Sequence, residues 1–278
     1  MTFTRRLFAF ASGAAVAAAL ALPASAQTAT QALSSESVIE KIKRDGVLQI
    51  GLSLFVPWSM RDVDGELMGF ELYLGRKLAE DMGVDVEFVP TAWDGIIPAL
   101  LAGKFDVIVS GMSITPTRNL TVNFSNPYAY SGVTVLANTA MTEGFTLEDY
   151  NSPDVTFAAR RGATPATVIA QLFPEAELLL FDEDGASTQE VLNGNAHATM
   201  DSEPGPSTAA RTYPDMLSIP FDRTFLATGE GFAYRKGDPD ATNFFNNWIE
   251  VNWRNGFLEE RNAYWFKGDE WASRAAAE

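Results

Sequence analysis

Between Trp93 and Arg118 the chain reads WDGIIPALLAGKFDVIVSGMSITPTR, and its final turn gathers the groups that can hold a small anion. Residues 105–109 form a short apolar run bounded by Gly-Lys and Ser-Gly, the pattern of a parallel strand covered on both faces. Ligands of open parallel sheets sit just beyond the carboxyl ends of such strands. There, Ser110, Gly111, Ser113 and Thr115 offer hydroxyls and accessible backbone. Arg118 adds a planar fork able to grip a carboxylate through two parallel hydrogen bonds. The arrangement suits the head group of an amino acid.

The flanking sequence supplies elements to position that turn. Residues 47–53 read as a first strand. Residues 69–82 read as a helix, because Phe70, Tyr73, Leu74, Leu78 and Met82 recur at helical spacing. A strand at 84–89, a helix at 93–102 and the strand at 105–109 continue the alternation. A second βαβαβ run follows an extended stretch at 131–137: strand 154–159, helix 164–173, strand 177–181, helix 186–192 and strand 197–200. A return strand at 230–235, a long helix at 239–255 and a short aromatic-rich one at 257–266 close the chain. Such alternation predicts an α/β protein with mainly parallel sheets flanked by helices. Asp62-Val-Asp-Gly-Glu66 lacks the ligand spacing of a calcium loop, and its Asp-Gly reads as a hairpin turn.

Composition narrows the function classes. Arg5 and Arg6, the apolar run 7–22 and Ala24-Ser25-Ala26 predict a secretion signal over residues 1–26, cleaved after Ala26. Thr4-Arg5-Arg6-Leu7-Phe8 partly fits a twin-arginine signal, so the general secretory and twin-arginine routes both stay open. The run is short, alanine-rich and ends in Pro23, which argues against a membrane anchor. The formal net charge of −16 argues against nucleic acid as a partner. With no cysteine, an exported chain has no disulfide, thiolate catalysis or cysteine-based metal site, and its stability must come from the 46% of residues that are hydrophobic. No cofactor or metal is expected.

The Trp93–Arg118 segment resembles the signature of the family 3 extracellular solute-binding proteins, periplasmic receptors of polar-amino-acid ABC importers. Upstream, GVLQIGLSLFVPWSMRDVDGELMGFELYLGRKLAEDMG is similar to the family's opening strand, Pro-aromatic turn, hairpin and Gly-Phe helix. Downstream, FSNPYAYSG is similar to its Phe-Ser-x-Pro-Tyr segment. The resemblance covers nearly all of the chain after residue 40 and is weakest between about 140 and 225. It implies a two-lobed, type II periplasmic-binding-protein-like fold. Residues 40–130 and 229–278 form lobe 1, residues 131–228 form lobe 2, and the hinge lies at about 130–132 and 228–231. It also implies a monomer in the periplasm that binds a small molecule and meets a membrane ABC permease.

By the same resemblance, Arg118 and Ser113 hold the ligand carboxylate and the Ser110–Gly111 region offers backbone carbonyls. Phe55 and Trp93 cover the ligand side chain, although a chain with 19 Phe, 7 Tyr and 6 Trp uses most of its rings for packing. In the second lobe, Thr164-Pro165 reads as a helix start, where backbone N–H groups favour an anion. Thr164 matches a carboxylate donor, and Arg160 matches a position facing the ligand side chain, which hints at an acidic or carbonyl-bearing group. Where the family usually has an aspartate for the ligand ammonium, this chain has Ser202. Asp201 and Glu203 flank it and, by strand alternation, could share a face. Betaines, keto acids and opine-like ligands therefore stay open.

Catalysis finds little support. His197 is the lone histidine, inside an expected strand where a structural role is the simpler reading. The enzymatic alternative is a cyclohexadienyl dehydratase, a class that resembles these binding proteins. Those enzymes place a glutamate general acid deeper than Glu203, where this chain has Pro204-Gly205-Pro206. A sensor module is the third class, weakened by the lack of a second long apolar run. The expectation is a binding protein, not an enzyme.

Overall fold

Strands apolar on both faces lie at the centre of the molecule and carry the turns of interest at their ends. The computed structural model describes residues 36–276, and the export signal expected at residues 1–26 lies outside them. In chain order the elements are α1 (Val38–Asp45), β1 (Val47–Leu52), the hairpin β2 (Met60–Arg61) and β3 (Leu67–Met68), α2 (Phe70–Met82), β4 (Asp85–Pro90) and α3 (Ile96–Leu101). Next come β5 (Val107–Ile108), α4 (Pro116–Asn119), β6 (Asn123–Asn138), β7 (Thr156–Arg160), α5 (Thr164–Leu172), β8 (Glu177–Phe181) and α6 (Ala186–Leu192). The chain continues with β9 (Ala198–Ser202), α7 (Gly205–Thr212), β10 (Leu217–Ser218), β11 (Leu226–Tyr234), α8 (Pro239–Arg254) and α9 (Phe257–Asn262).

One sheet of nine strands runs in the order β4-β1-β5-β11-β6-β9-β7-β8, with β10 also on β6. β1 lies parallel to β4 and β5, and β7 lies parallel to β8 and β9. These two parallel triplets are joined through β6 and β11, which pair antiparallel with each other. β6 has 16 residues, about 50 Å of extended chain, enough to serve both triplets. The core divides accordingly. Leu48, Ile50, Phe70, Leu74 and Val107 pack with Phe232, Phe245 and Trp248 in a first body. Val133, Val135, Phe157, Ile169 and Met200 pack in a second.

The helices close over these sheets for local reasons. α8 starts at Asp238, whose side chain accepts from Ala241 N at 2.8 Å, and turns Phe245, Trp248 and Ile249 inward. α2 starts at Gly69, where φ is 137° and a Cβ would sit 2.4 Å from the Trp58 carbonyl oxygen, so only glycine fits. That close approach lets Phe70 N–H donate to Pro57 O and Glu71 N–H to Trp58 O, and it brings the Glu71 side chain into the core. The Asp62–Glu66 segment forms a hairpin turn, with Asp62 Oδ1 accepting from Asp64 N and Glu66 N.

Some expected elements differ from those observed. The stretch read at 131–137 is part of the longer β6, because Asn126 and Pro127 interrupt the apolar pattern without ending the pairing, and the strand read at 230–235 begins earlier and ends at Tyr234, as β11. The strand at 105–109 pairs only at Val107–Ile108. The Pro204-Gly205-Pro206 run leads into α7 at residues 205–212, which was not expected; a proline in the first helical turn removes an N–H that has no partner there anyway. α1 was not expected either, and Ser37 caps it by accepting from Ile39 N. Among the described residues no helix is long and apolar enough to cross a membrane.

Candidate functional site

The carboxyl ends of β1, β4, β5, β7, β8 and β9 all converge on one cavity between the two bodies. Its empty space, which includes open solvent at the mouth, is ≈ 390 Å³. The first body contributes Phe55 after β1, Trp93 after β4, and Gly111 and Ser113 after β5. The second contributes Arg160 at the end of β7, Ala163, Thr164 and Pro165 at the start of α5, Asp184 after β8, and Asp201 and Ser202 at the end of β9. Of the ten residues expected at a site, seven line this wall: Phe55, Trp93, Gly111, Ser113, Arg160, Thr164 and Asp201. The hydroxyls of Ser113 and Thr164, one from each body, have no hydrogen-bond partner among the described residues.

Arg118 lies behind that wall rather than on it. Its Nη1 donates to Ser113 O at 3.0 Å and its Nη2 to Gly162 O at 3.2 Å, so the guanidinium links the turn of the first body to the β7–α5 turn of the second. The group stacks over the Trp93 ring at 5.3 Å, and Arg160 does so at 5.7 Å. Burial lowers the Arg118 pKa to about 10, which leaves it charged at neutral pH. No carboxylate pairs with it among the described residues.

Arg160 is more committed than the sequence suggested. Its Nη1 donates to Leu54 O at 3.0 Å, its Nη2 donates to Ser53 Oγ at 2.9 Å, and Asp184 lies 3.6 Å away. Its Nε is buried without a hydrogen-bond partner among the described residues. With its fork on the first body and its charge balanced by Asp184, Arg160 no longer indicates an acidic ligand group. Asp184, which also accepts from Val56 N at 3.2 Å, was missed. The signal that would have found it is its place at the carboxyl end of β8.

Ser110 and Glu203 fall elsewhere. Ser110 is buried between strands, accepting from Ser53 N at 2.7 Å and donating to Ser53 O, so its hydroxyl ties β5 to β1. Glu203 follows the last residue of β9, where the two-residue alternation ends. Its carboxylate accepts from Ser207 N at 3.3 Å at the start of α7, and it lines a different cavity with Tyr130, Arg211 and Lys267. Asp201 and Ser202 are therefore the pair that share the wall. Burial pushes the Asp201 carboxyl up to about 6, opposed by the Ser202 N–H bond at 2.7 Å and by the charge of Arg160. His197 sits beside β9 with Nδ1 accepting from Thr156 N at 3.0 Å, and it is not among the residues that line the cavity.

The model of the bacterial extracellular solute-binding proteins, family 3, matches residues 48–268. The chain is 26% identical over 242 residues to the L-cystine-binding protein TcyJ of Escherichia coli, covering 86% of this chain and 90% of that one. It is 26% identical over 252 residues to a cyclohexadienyl dehydratase of Pseudomonas aeruginosa, covering 90% and 92%. Among solved structures, an ancestral amino acid-binding protein described as a precursor of cyclohexadienyl dehydratase superposes with a TM-score of 0.75 at 36% identity, covering 83% of this chain and all of that one.

Proposed function

The chain belongs to the bacterial extracellular solute-binding proteins, family 3, and from that premise we propose that it is the substrate-binding component of an ABC importer. It closes two lobes around one amino acid or amino-acid-like anion and delivers it to a membrane permease. The observation that carries this reading is the pair of hydroxyls, Ser113 and Thr164, without a partner among the described residues, on one cavity from opposite bodies. A ligand carboxylate satisfies both at once, and the uncompensated charge of Arg118 behind Ser113 favours an anion there. Because such a ligand touches both lobes, it binds the closed state better than the open one, which is the requirement for ligand-driven closure.

In this reading Phe55 and Trp93 cover the ligand side chain and Asp201 pairs with an ammonium. Ser110, Gly111, Arg160 and Glu203 act less directly: Ser110 braces the turn, Gly111 shapes it, Arg160 seals the cavity edge and Glu203 caps α7. The lobes comprise residues 40–130 with 229–278, and 131–228, crossing at about 130–132 and 228–231. The receptor works as a monomer in the periplasm after removal of residues 1–26, and it performs no covalent chemistry.

A second reading, a dehydratase acting on arogenate or prephenate, is favoured by one observation: Asp201 keeps a proton to about pH 6 inside the cavity, as a general acid must. Against it, Glu203 lies outside the cavity and Pro204-Gly205-Pro206 opens a helix instead of carrying a deeper acid. A thermal-shift screen of the signal-less protein against amino acids, keto acids and betaines tests the receptor. A ligand at a hundredfold excess over its Kd adds about 2.7 kcal/mol. A single chemical class of hits supports the proposal. No hit, together with turnover of arogenate or prephenate, replaces it with the enzyme.

A further inference from the structure

We propose that Glu71 is a positioning residue for the Gly111–Ser113 turn, which it holds in two different ways as its buried carboxyl gains or loses a proton. Glu71 is 1% exposed on α2. Its Oε1 accepts from both the Gly111 N–H and the Tyr128 hydroxyl, and its Oε2 accepts from Ser59 Oγ at 3.1 Å. The carboxyl thus grasps from behind the same turn whose front faces the cavity.

A second buried acid lies against the other side of the turn. Ser113 pairs backbone to backbone with Glu230 of β11, Ile114 N–H donates to Gly229 O at 2.9 Å, and Gly231 N–H donates to Met112 O. Glu230 Oε1 accepts from Ser131 Oγ at 2.7 Å and Thr228 Oγ1 at 2.8 Å, and its Oε2 is buried without a partner among the described residues. The groups that meet Glu71 are Ser59 from the loop before β2, Gly111 from the turn, Tyr128 from β6 and, through its charge, Glu230 from β11; none is a cation. Burial raises the Glu71 pKa to about 7, the three donors oppose that rise, and the charge of Glu230 adds to it.

The two states differ in a defined bond. Ionised, Glu71 receives three hydrogen bonds and its contact to Gly111 N–H is charge-assisted. When solvent supplies a proton to Oε2, the Ser59 hydroxyl rotates from donor to acceptor, and Gly111 N–H is left bonded to a neutral carboxyl oxygen. For a ligand carboxylate at Ser113, the protonated state removes a like charge from behind the turn. Affinity for carboxylates falls, and proton uptake on binding rises, as pH climbs through the midpoint. This consequence rests on the receptor reading, whereas the positioning role itself does not.

The test needs no ligand. The amide resonance of Gly111 in the folded, ¹⁵N-labelled protein is followed across pH. One transition with a midpoint near 7 is expected in the wild type. It disappears in Glu71→Gln, whose side-chain oxygen still accepts from Gly111. It moves to higher pH in Tyr128→Phe, which removes a donor to the ionised form. A flat wild-type profile, an equal transition in Glu71→Gln, or an unmoved midpoint in Tyr128→Phe overturns the proposal. The Tyr128→Phe result keeps it refutable should Glu71→Gln fail to fold. Failure of the ligand screen would leave these outcomes untouched, and their failure would leave the receptor reading standing.

Discussion

Replacing Asp201 with asparagine should stabilise the ligand-free protein while weakening its hold on an ammonium. In the folded state the Asp201 carboxyl is pushed from its ordinary 3.8 up to about 6, chiefly by burial. The folded state therefore binds this proton more tightly than the unfolded chain. The resulting stabilisation is complete below the unfolded pKa and is lost as pH rises through the folded one. At 1.36 kcal/mol per pH unit, the rise corresponds to about 3 kcal/mol. Because the cavity is open to water, about 2–3 kcal/mol is the expected size. Asparagine keeps an oxygen for the Ser202 N–H but has no charge to desolvate. Asp201→Asn should thus match the wild type at about pH 3.5 and exceed it by about 2–3 kcal/mol at about pH 8. In a chain of this length that is roughly 5–10 °C in Tm. Urea unfolding at the two pH values reads the difference directly. Equal stability at the higher pH, or the same gap at both, would refute the reasoning. In calorimetry the variant should lose at least about tenfold in affinity for ammonium-bearing ligands, with no such loss for amine-free anions.

Arg118→Ala removes the link between Ser113 O and Gly162 O and the cation behind the turn. It should cost several kcal/mol of ligand affinity, and only slight weakening would show that the anchor lies elsewhere. Trp93→Leu takes the ring from under both guanidinium groups; a loss of about 1–2 kcal/mol in affinity is expected by calorimetry. Asp184→Asn leaves Arg160 without its carboxylate partner at 3.6 Å, so affinity for aspartate and glutamate relative to neutral amino acids should rise about tenfold, read by competition binding. Glu203→Ala should leave ligand affinity unchanged, because the carboxylate faces the other cavity, and should lower stability by under about 1 kcal/mol through the start of α7.

How much of the protein could be read from its residues follows from the range of the forces involved. The βαβ alternation, the helices at 69–82 and 239–255 and the hairpin at Asp62–Glu66 rest on side-chain periodicity and turn chemistry, which act over a few residues and are written in order along the chain. Gly111 and Ser113 could be named for the same reason, since they follow a strand end, and Thr164 because it opens a helix, whereas Phe55 and Trp93 could be named only through the family resemblance. The start of α7 was hidden because proline and glycine are poor helix formers, although a proline in the first turn is tolerated.

What the order of residues could not decide was which of two neighbouring polar groups faces the cavity and which is already taken. Arg160 and Asp184 are 24 positions apart in sequence, and Arg160 reaches Ser53 and Leu54 on the other body, so its charge is balanced only once both bodies are in place. Ser110 looked like a ligand group until β1 was laid beside β5. Glu71, inside an ordinary helix pattern, became a buried acid behind the turn only when Gly69 let that helix approach Trp58. Local pattern determines the alternation of most strands and helices along the chain. The neighbours that desolvate a charge or satisfy it come from distant parts of the chain, so hydrogen-bond partners and proton affinities belong to the tertiary structure alone.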